Sequence, residues 1–450
     1  MRAYLIHTIG FPLLIFVLLG TALGNQASTS VVITHVTIID THGGPARRDM
    51  NVIIQGDRIA SIETGNIKLR PGAIILDGRG KFLIPGLWDM QVHLSWTTVS
   101  ALPLLVANGI TNVRDMGGRL EEIDDWRTKI RAALLVGPDI VRVGPMLNGQ
   151  SFNRYQLVSG TSAETRSVVR TLKFIGVDGL EIERRVERDS YFALLDEARD
   201  QGLPVGGHIP ITITPEEATD SGQRTIEHIE TLFEGTLSAG KKEEELPAII
   251  DRFLSSAAAD SLFARFVKNH TAFTPDIAMW QWSMNAMDAS AVPDPLSRYV
   301  ALSSRNEFKN QHASPEELKN LRQMFPRLLN VVRRMHQAGV MLLAGTDIAG
   351  PRIPGFSLHN ELGMLVTAGL TPAQALETAT LNPAIVLKKT NELGSVEVGK
   401  MANLVLLDAN PLENIDNTRR ISTVVLKGKV FNRTQLDKLL EEGERLANNN

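Results

Sequence analysis

The sequence predicts an α/β protein built around a (β/α)8 barrel, with a small β unit contributed by its two ends. Two observations carry this. Between residues 83 and 393, short apolar segments alternate with longer amphipathic ones, and eight of the short segments read as strands. Outside that span, residues 31–82 and 394–431 alternate in strand fashion. A doubly wound parallel sheet is the alternative for the centre.

The ends come first in the chain's own order. Residues 1–24 carry one charged side chain, Arg2, followed by the apolar run "FPLLIFVLLGTALG" and the small residues of "ALGNQAS". This predicts a signal peptide cut after Gly24 or Ala27, because the run is short for a membrane span. The mature protein is then expected to be exported, periplasmic or secreted, with no stable membrane association. Beyond the leader, "SVVITHVTIID", "MNVIIQGDRIASIET" and "GAIILDGRGKFLI" are broken by Gly and Asp-Gly, as turns between short strands require. At the far end "GSVEVGKMANLVLLDAN" and "ISTVVLKGKVF" repeat the pattern. Residues 432–450 form a tail whose Asn-rich close, "LANNN", is expected to be disordered.

Composition narrows the function. The 450 residues are 43% hydrophobic and 22% charged, an ordinary globular balance. The formal charge is −3, or −4 once Arg2 is removed, and no basic block is present, so nucleic-acid binding has no electrostatic support. The chain has no cysteine, which excludes disulfides, thiol catalysis and thiolate metal sites.

The eight candidate strands are 83–93, 110–115, 139–144, 178–183, 204–208, 224–228, 271–275 and 340–347. Helical patterns such as "SYFALLDEARDQG" and "LLNVVRRMHQAG" lie between them, the latter closed by a glycine. In a parallel barrel, polar residues at the carboxyl ends of strands serve the site. The first strand ends in Gln91 and His93, the fourth carries Glu181, the fifth ends in His208, the sixth in His228 and the eighth in Asp347. A single histidine in such a place is more often a packing residue. Two histidines and a carboxylate on successive strands, with an aspartate opposite, suit a divalent cation such as zinc.

These segments carry a resemblance. "IPGLWDMQVHL", "GITNVRDMGG", "GLPVGGHIP", "TIEHIE", "LLAGTDIAG", "FSLHNELGMLVTAGLTPAQALETATLNPA" and "LGSVEVGKMANLVLLDANPL", in that order, resemble the amidohydrolase superfamily, in its imidazolonepropionase-like and prolidase-like branch. The resemblance covers about residues 31–430. It implies a (β/α)8 barrel, a small β-sandwich from both chain ends, and a metal-activated water that attacks a carbonyl carbon. It also implies a first-strand His-x-His and a fourth-strand lysine bridging two metals. This chain has Gln91-Val92-His93 and Glu181 in those places.

Both departures belong to the two-metal arrangement. A neutral amide is a poorer zinc donor than imidazole, whereas Glu181, His208 and His228 still offer one carboxylate and two nitrogens. The expectation is one zinc ion on those three residues, with a two-metal enzyme and a decayed binding protein as alternatives. A similar pairing of glutamine and glutamate occurs in some N-acetylglucosamine-6-phosphate deacetylases of the superfamily, a similarity confined to the metal site. The implied reaction is hydrolysis of an amide, a peptide or a cyclic amide, rather than deamination. Asp347 would move the proton, and His93 would serve the oxyanion or position Asp347. Gln91 would hold a water or a substrate oxygen.

Other polar residues are weighed against plain packing. His359 could line the pocket or pack a helix. Arg184, Arg185 and Arg352 could receive a substrate carboxylate, with a solvated surface the commoner fate. Asp115 is expected to be structural, and Trp280 and Trp282 could belong to a lid. The expected partner is a small-molecule substrate, and a homo-oligomer stays open.

Overall fold

Strands from the two ends of the chain form one sheet. The computed structural model describes residues 30–68, 71–238, 246–288, 291–292, 294–308, 312–350 and 352–449, so the expected signal peptide, residues 1–24, lies outside the described residues. The sheet comprises Ser30–Ile38, Arg47–Gln55, Arg58–Thr64, Ile74–Asp77, Phe82–Pro85, Leu404–Leu407, Ile421–Leu426 and Lys429–Asn432. The seam between the two ends is the antiparallel pairing of Phe82–Pro85 with Leu404–Leu407, where Ile84 faces Val405. The alternation of Val31, Ile33, Val36 and Ile38 places them in one core with Val52, Ile54, Leu404 and Leu406. The eight strands are hydrogen-bonded into a single sheet, where the resemblance implied a two-sheet sandwich.

The candidate strand 83–93 divides at Gly86. A Cβ there would meet Thr111 Oγ1 at 2.1 Å, so the chain can pass the neighbouring strand only as glycine. Its first half joins the end sheet, and its second half, Leu87–Val92, opens the central array.

The central strands run parallel. Leu87–Val92, Ile110–Asp115 and Asp139–Arg142 form one group. Met146–Asn148, Leu180–Ile182 and Val205–Gly207 form a second, and Thr225–Glu227 pairs with Ala272–Thr274. The eighth candidate, 340–347, is no regular strand. It is extended chain tied on both sides, by single bridges Phe273–Leu342 and Val92–Ile348 and by Asp347 N–H donating to Gln91 O at 2.9 Å. The helices between are capped as the sequence prescribes: Thr161 with Glu164, Thr214 with Glu217 and Ser314 with Glu317 each form a capping box.

The closing segment is ordered. Asn432 caps a helix, Arg433–Asn448, and Leu436, Gly443 and Ala447 are buried along it. Gly443 lies so close to Leu104 of helix Ala101–Ala107 that a Cβ would overlap it. An apolar stripe at helical spacing therefore overrides the polar end that suggested disorder. Among the described residues, no helix is long and apolar enough to cross a membrane.

Candidate active site

The strand ends deliver the predicted side chains to one buried region. Gln91 is fully buried, and Glu181, His93, His208 and His228 are nearly so. His228 and Asp347 both sit at positive φ, +66° and +47°, a conformation costing roughly 1–3 kcal/mol each for such residues. Strained backbone at two strand ends marks a place where side-chain direction is fixed against local preference. Gly117, at φ +108°, lets the wall approach: a Cβ there would sit 2.7 Å from Glu181 Oε2.

His93 and Asp347 form a pair, with His93 Nε2 3.1 Å from Asp347 Oδ1. The other ring nitrogen, Nδ1, lies 3.2 Å from Gly117 O. Both partners are acceptors, so satisfying both contacts requires the doubly protonated imidazolium. Burial, the largest single influence, opposes that charge, but the hydrogen bond and charge of Asp347, the charge of Asp115 and the Gly117 carbonyl together raise the His93 pKa. Asp347 shows the converse. Burial pushes its carboxyl up, yet the Arg352 guanidinium and His93 hold it well below the usual carboxylate range. Arg352 Nη1 lies 3.0 Å from Asp347 Oδ2 and also donates to the Asp347 carbonyl. Its head lies 5.9 Å from the centre of the Trp282 ring. Arg352 is thus turned inward, where a solvated surface was the commoner expectation.

Gln91 does more than face the pocket. Its Nε2 lies 2.8 Å from His228 Nε2. An amide N–H can only donate, so His228 accepts at Nε2 and carries its proton at Nδ1, which points to Asp276 Oδ2 at 3.4 Å. The ring of His208 lies 4.6 Å from that of His228. Glu181 stands on the strand beside them, in register with Gly206.

The donor set fits one divalent cation by its chemistry. Glu181 Oε2, both ring nitrogens of His208 and Nδ1 of His228 are buried without a hydrogen-bond partner. Burial, then the charges of Glu183, Glu227, Asp115 and Asp347, raise the Glu181 pKa well above its ordinary value. The unpaired Glu181 carboxylate and His208 imidazole, inside a field of acids, are what a cation would complete, and His228 would join them once the Gln91 amide gave way at Nε2. Even so, among the described residues no three such side chains are already gathered closely enough to hold an ion.

His359 is not brought to this site. Its Nδ1 pairs with Thr418 Oγ1 at 2.9 Å and its Nε2 with Asn108 O at 3.1 Å, so both nitrogens tie its helix to the opposite end of the fold. Arg184 pairs with Glu234 at 3.1 Å, and Arg185 lies over the Phe152 ring. Trp280 donates to Glu230 at 3.1 Å. Asp115 accepts from Leu94 N–H at 2.9 Å, the structural part expected of it.

Sequence reasoning missed several supports. Asp276 stands behind His228, and Asp89 accepts from both the N–H and the hydroxyl of Thr346, next to Asp347. Arg114 reaches across to Glu227 at 2.5 Å and Thr225 at 2.8 Å. The ring of Trp96 stacks on His93 at 4.9 Å and meets Tyr155 beyond. Asp276 was findable, since it directly follows the strand 271–275 as Asp347 ends its own.

Comparison with known proteins places the chain in a family. The model of the amidohydrolase family matches residues 82–431. An imidazolonepropionase of Alkaliphilus oremlandii is 22% identical over 443 residues, covering 88% of this chain and 96% of that protein. An N-acyl-D-aspartate deacylase of Alcaligenes xylosoxydans xylosoxydans is 28% identical over 189 residues, 39% of this chain and 36% of that one. Among solved structures, a Xaa-Pro dipeptidase with methionine bound in its active site superposes with a TM-score of 0.69 at 20% identity, covering 90% of this chain and all of that one.

Proposed function

We propose, for a chain that belongs to the amidohydrolase family and hydrolyses carbon–nitrogen bonds, that the substrate is a small amide bearing a free carboxylate. Dipeptides and N-acyl amino acids are the two forms it takes. The observation that carries this reading is the state of Arg352. Its Nη1 is spent on Asp347, whereas its Nε is buried with no partner. The Nε and Nη2 hydrogens form one side of the guanidinium fork, and that side matches a carboxylate bidentately.

In this reading the parallel strands close as a (β/α)8 barrel, with the catalytic groups at its carboxyl face. Glu181, His208 and His228 hold one zinc ion, which when bound supplies an activated water and polarises the substrate carbonyl. Asp347 accepts the attacking water's proton at its carboxylate as the C–O bond forms, and returns it to the nitrogen, so that the tetrahedral adduct collapses, the carbonyl re-forms and the C–N bond breaks. His93, held between Asp347 and the Gly117 carbonyl, positions the Asp347 carboxylate for this transfer. The apolar leader supports an exported, periplasmic or secreted location.

The test is zinc content together with a panel of dipeptides, N-acyl amino acids and their carboxamides. About one tightly bound zinc per chain, with the carboxylates hydrolysed roughly 10- to 100-fold faster than their carboxamides, is the expected result. Equal turnover of carboxylates and carboxamides would refute the substrate assignment.

A further inference from the structure

On the face opposite the catalytic groups lies a cavity of about 960 Å³, large enough for a metabolite. It is framed by the amino halves of the central strands: Asp139, Val205 and Arg224 stand at or just before the starts of their strands, Trp88 one residue in and Asn112 two. Gln91, His208 and His228 stand near or just past the other ends of three of these strands.

Its lining is strongly basic, with seven Lys and Arg against three Asp and Glu. Some of that charge has a local purpose. Arg131 and Arg199 fall in the last turns of helices Leu120–Arg131 and Arg188–Asp200, where cations offset the negative end of the helix dipole. Lys427 pairs with Asp139, and Arg127 lies 3.6 Å from Asp178. Lys388 and Lys389 directly follow the C-cap of helix Leu381–Val386, near its negative end, but make no ion pair among the described residues. Arg224 is half-buried, spends one nitrogen on the His270 carbonyl, and has its pKa lowered by that burial.

A second feature is independent of charge. Trp88 and Asn112 both line the cavity and are each only 1% exposed. Trp88 Nε1 nevertheless has no hydrogen-bond partner, while Asn112 donates its amide to Thr111 Oγ1 at 2.7 Å. Buried polar atoms are normally satisfied, so an unused indole N–H beside unpaired cations calls for an acceptor.

We infer that this cavity is a second ligand site, which takes a small anion carrying at least two negative charges, a phosphate monoester or a polycarboxylate. The Trp88 indole donates to the anion, and Lys388, Lys389 and Arg224 neutralise it. Strand Leu87–Val92 joins the two sites directly: Trp88 lies near its start and Gln91 near its end.

Calorimetric titration of the full-length protein with glycerol 3-phosphate and with tricarballylate, each at low and high salt, tests this. The expected result is one saturable site for at least one anion, weakened by salt, unaltered in Asp347→Asn, and weakened about tenfold or more in Lys388→Glu/Lys389→Glu. Trp88→Phe keeps the ring and removes the donor, and it weakens the same binding. The site does not exist if neither anion binds at millimolar concentration, if the double variant binds as well as the parent, or if Asp347→Asn abolishes binding. None of these outcomes depends on whether the catalytic reading holds.

Discussion

Gln91 Nε2 lies 2.8 Å from His228 Nε2, so the amide holds the lone pair that a metal would use. Zinc must displace a hydrogen bond to bind at this nitrogen. Gln91→Ala leaves His228 unpartnered and a small void behind, which should destabilise the metal-free protein by about 1–3 kcal/mol. Zinc should then raise the thermal midpoint more in the variant than in the parent. An equal or smaller rise would show that Gln91 does not compete for His228. Gln91→His should still bind about one zinc, because Glu181 remains where a bridging lysine would be needed.

The pair His93–Asp347 leads to a second expectation. Asp347 Oδ1 is the carboxylate oxygen nearest the imidazolium, at 3.1 Å, and moves the proton in the proposed reaction. Asp347→Asn should lower kcat by about 10²- to 10⁴-fold, with zinc content intact, since the proposed ligands are Glu181, His208 and His228. Zinc content and kcat measured on one preparation separate the roles. Joint loss of both would make Asp347 a ligand instead.

Arg352 separates substrates rather than chemistry alone. Arg352→Met removes the guanidinium from both Asp347 and the substrate. The loss through Asp347 falls equally on an N-acyl amino acid and on its carboxamide, and cancels in their ratio. A hydrogen bond to a charged group contributes about 1.5–3 kcal/mol, so the ratio of kcat/KM between the two should fall roughly 10- to 100-fold. An unchanged ratio would move carboxylate recognition elsewhere.

These arguments show where the sequence was legible. Strand ends were, because a polar residue closing an apolar run has a fixed place in a parallel array. That logic located Gln91, His93, Glu181, His208, His228 and Asp347 in one region. Rotamer and partner were not legible. Gln91 could not be seen to reach His228, 137 residues away, and Arg352 could not be seen to fold back on Asp347. His359 turned to Asn108 and Thr418 because its helix packs there, a fact of tertiary contact. The closing helix was a misreading rather than a gap. Asn432 with Gln435 is a capping box, and the buried Leu436, Gly443 and Ala447 lie on one helical stripe, so the signal stood in the sequence.

Glu361 gives the cleanest dependence on pH, away from the proposed metal ligands. It is fully buried on helix Phe356–Thr367, and its Oε2 accepts from Ala278 N–H at 2.6 Å. Burial pushes its pKa up to about 8. The folded state therefore keeps a proton that the unfolded chain releases near its ordinary value of about 4.5. Unfolding then sheds protons across that window, so stability is greatest below it and falls as pH rises towards 8. The slope from this one group approaches about 1.4 kcal/mol per pH unit. Asp89 and Asp115, raised by burial to about 7 and about 6, act in the same direction and remain in any Glu361 variant. The difference between variant and parent therefore isolates Glu361. Glu361→Gln keeps an acceptor for Ala278 and cannot ionise, so its stability relative to the parent should climb steadily from pH 5 to pH 8. Denaturant midpoints across that range measure it, and a difference that stays level would mean that Glu361 is ionised in the fold.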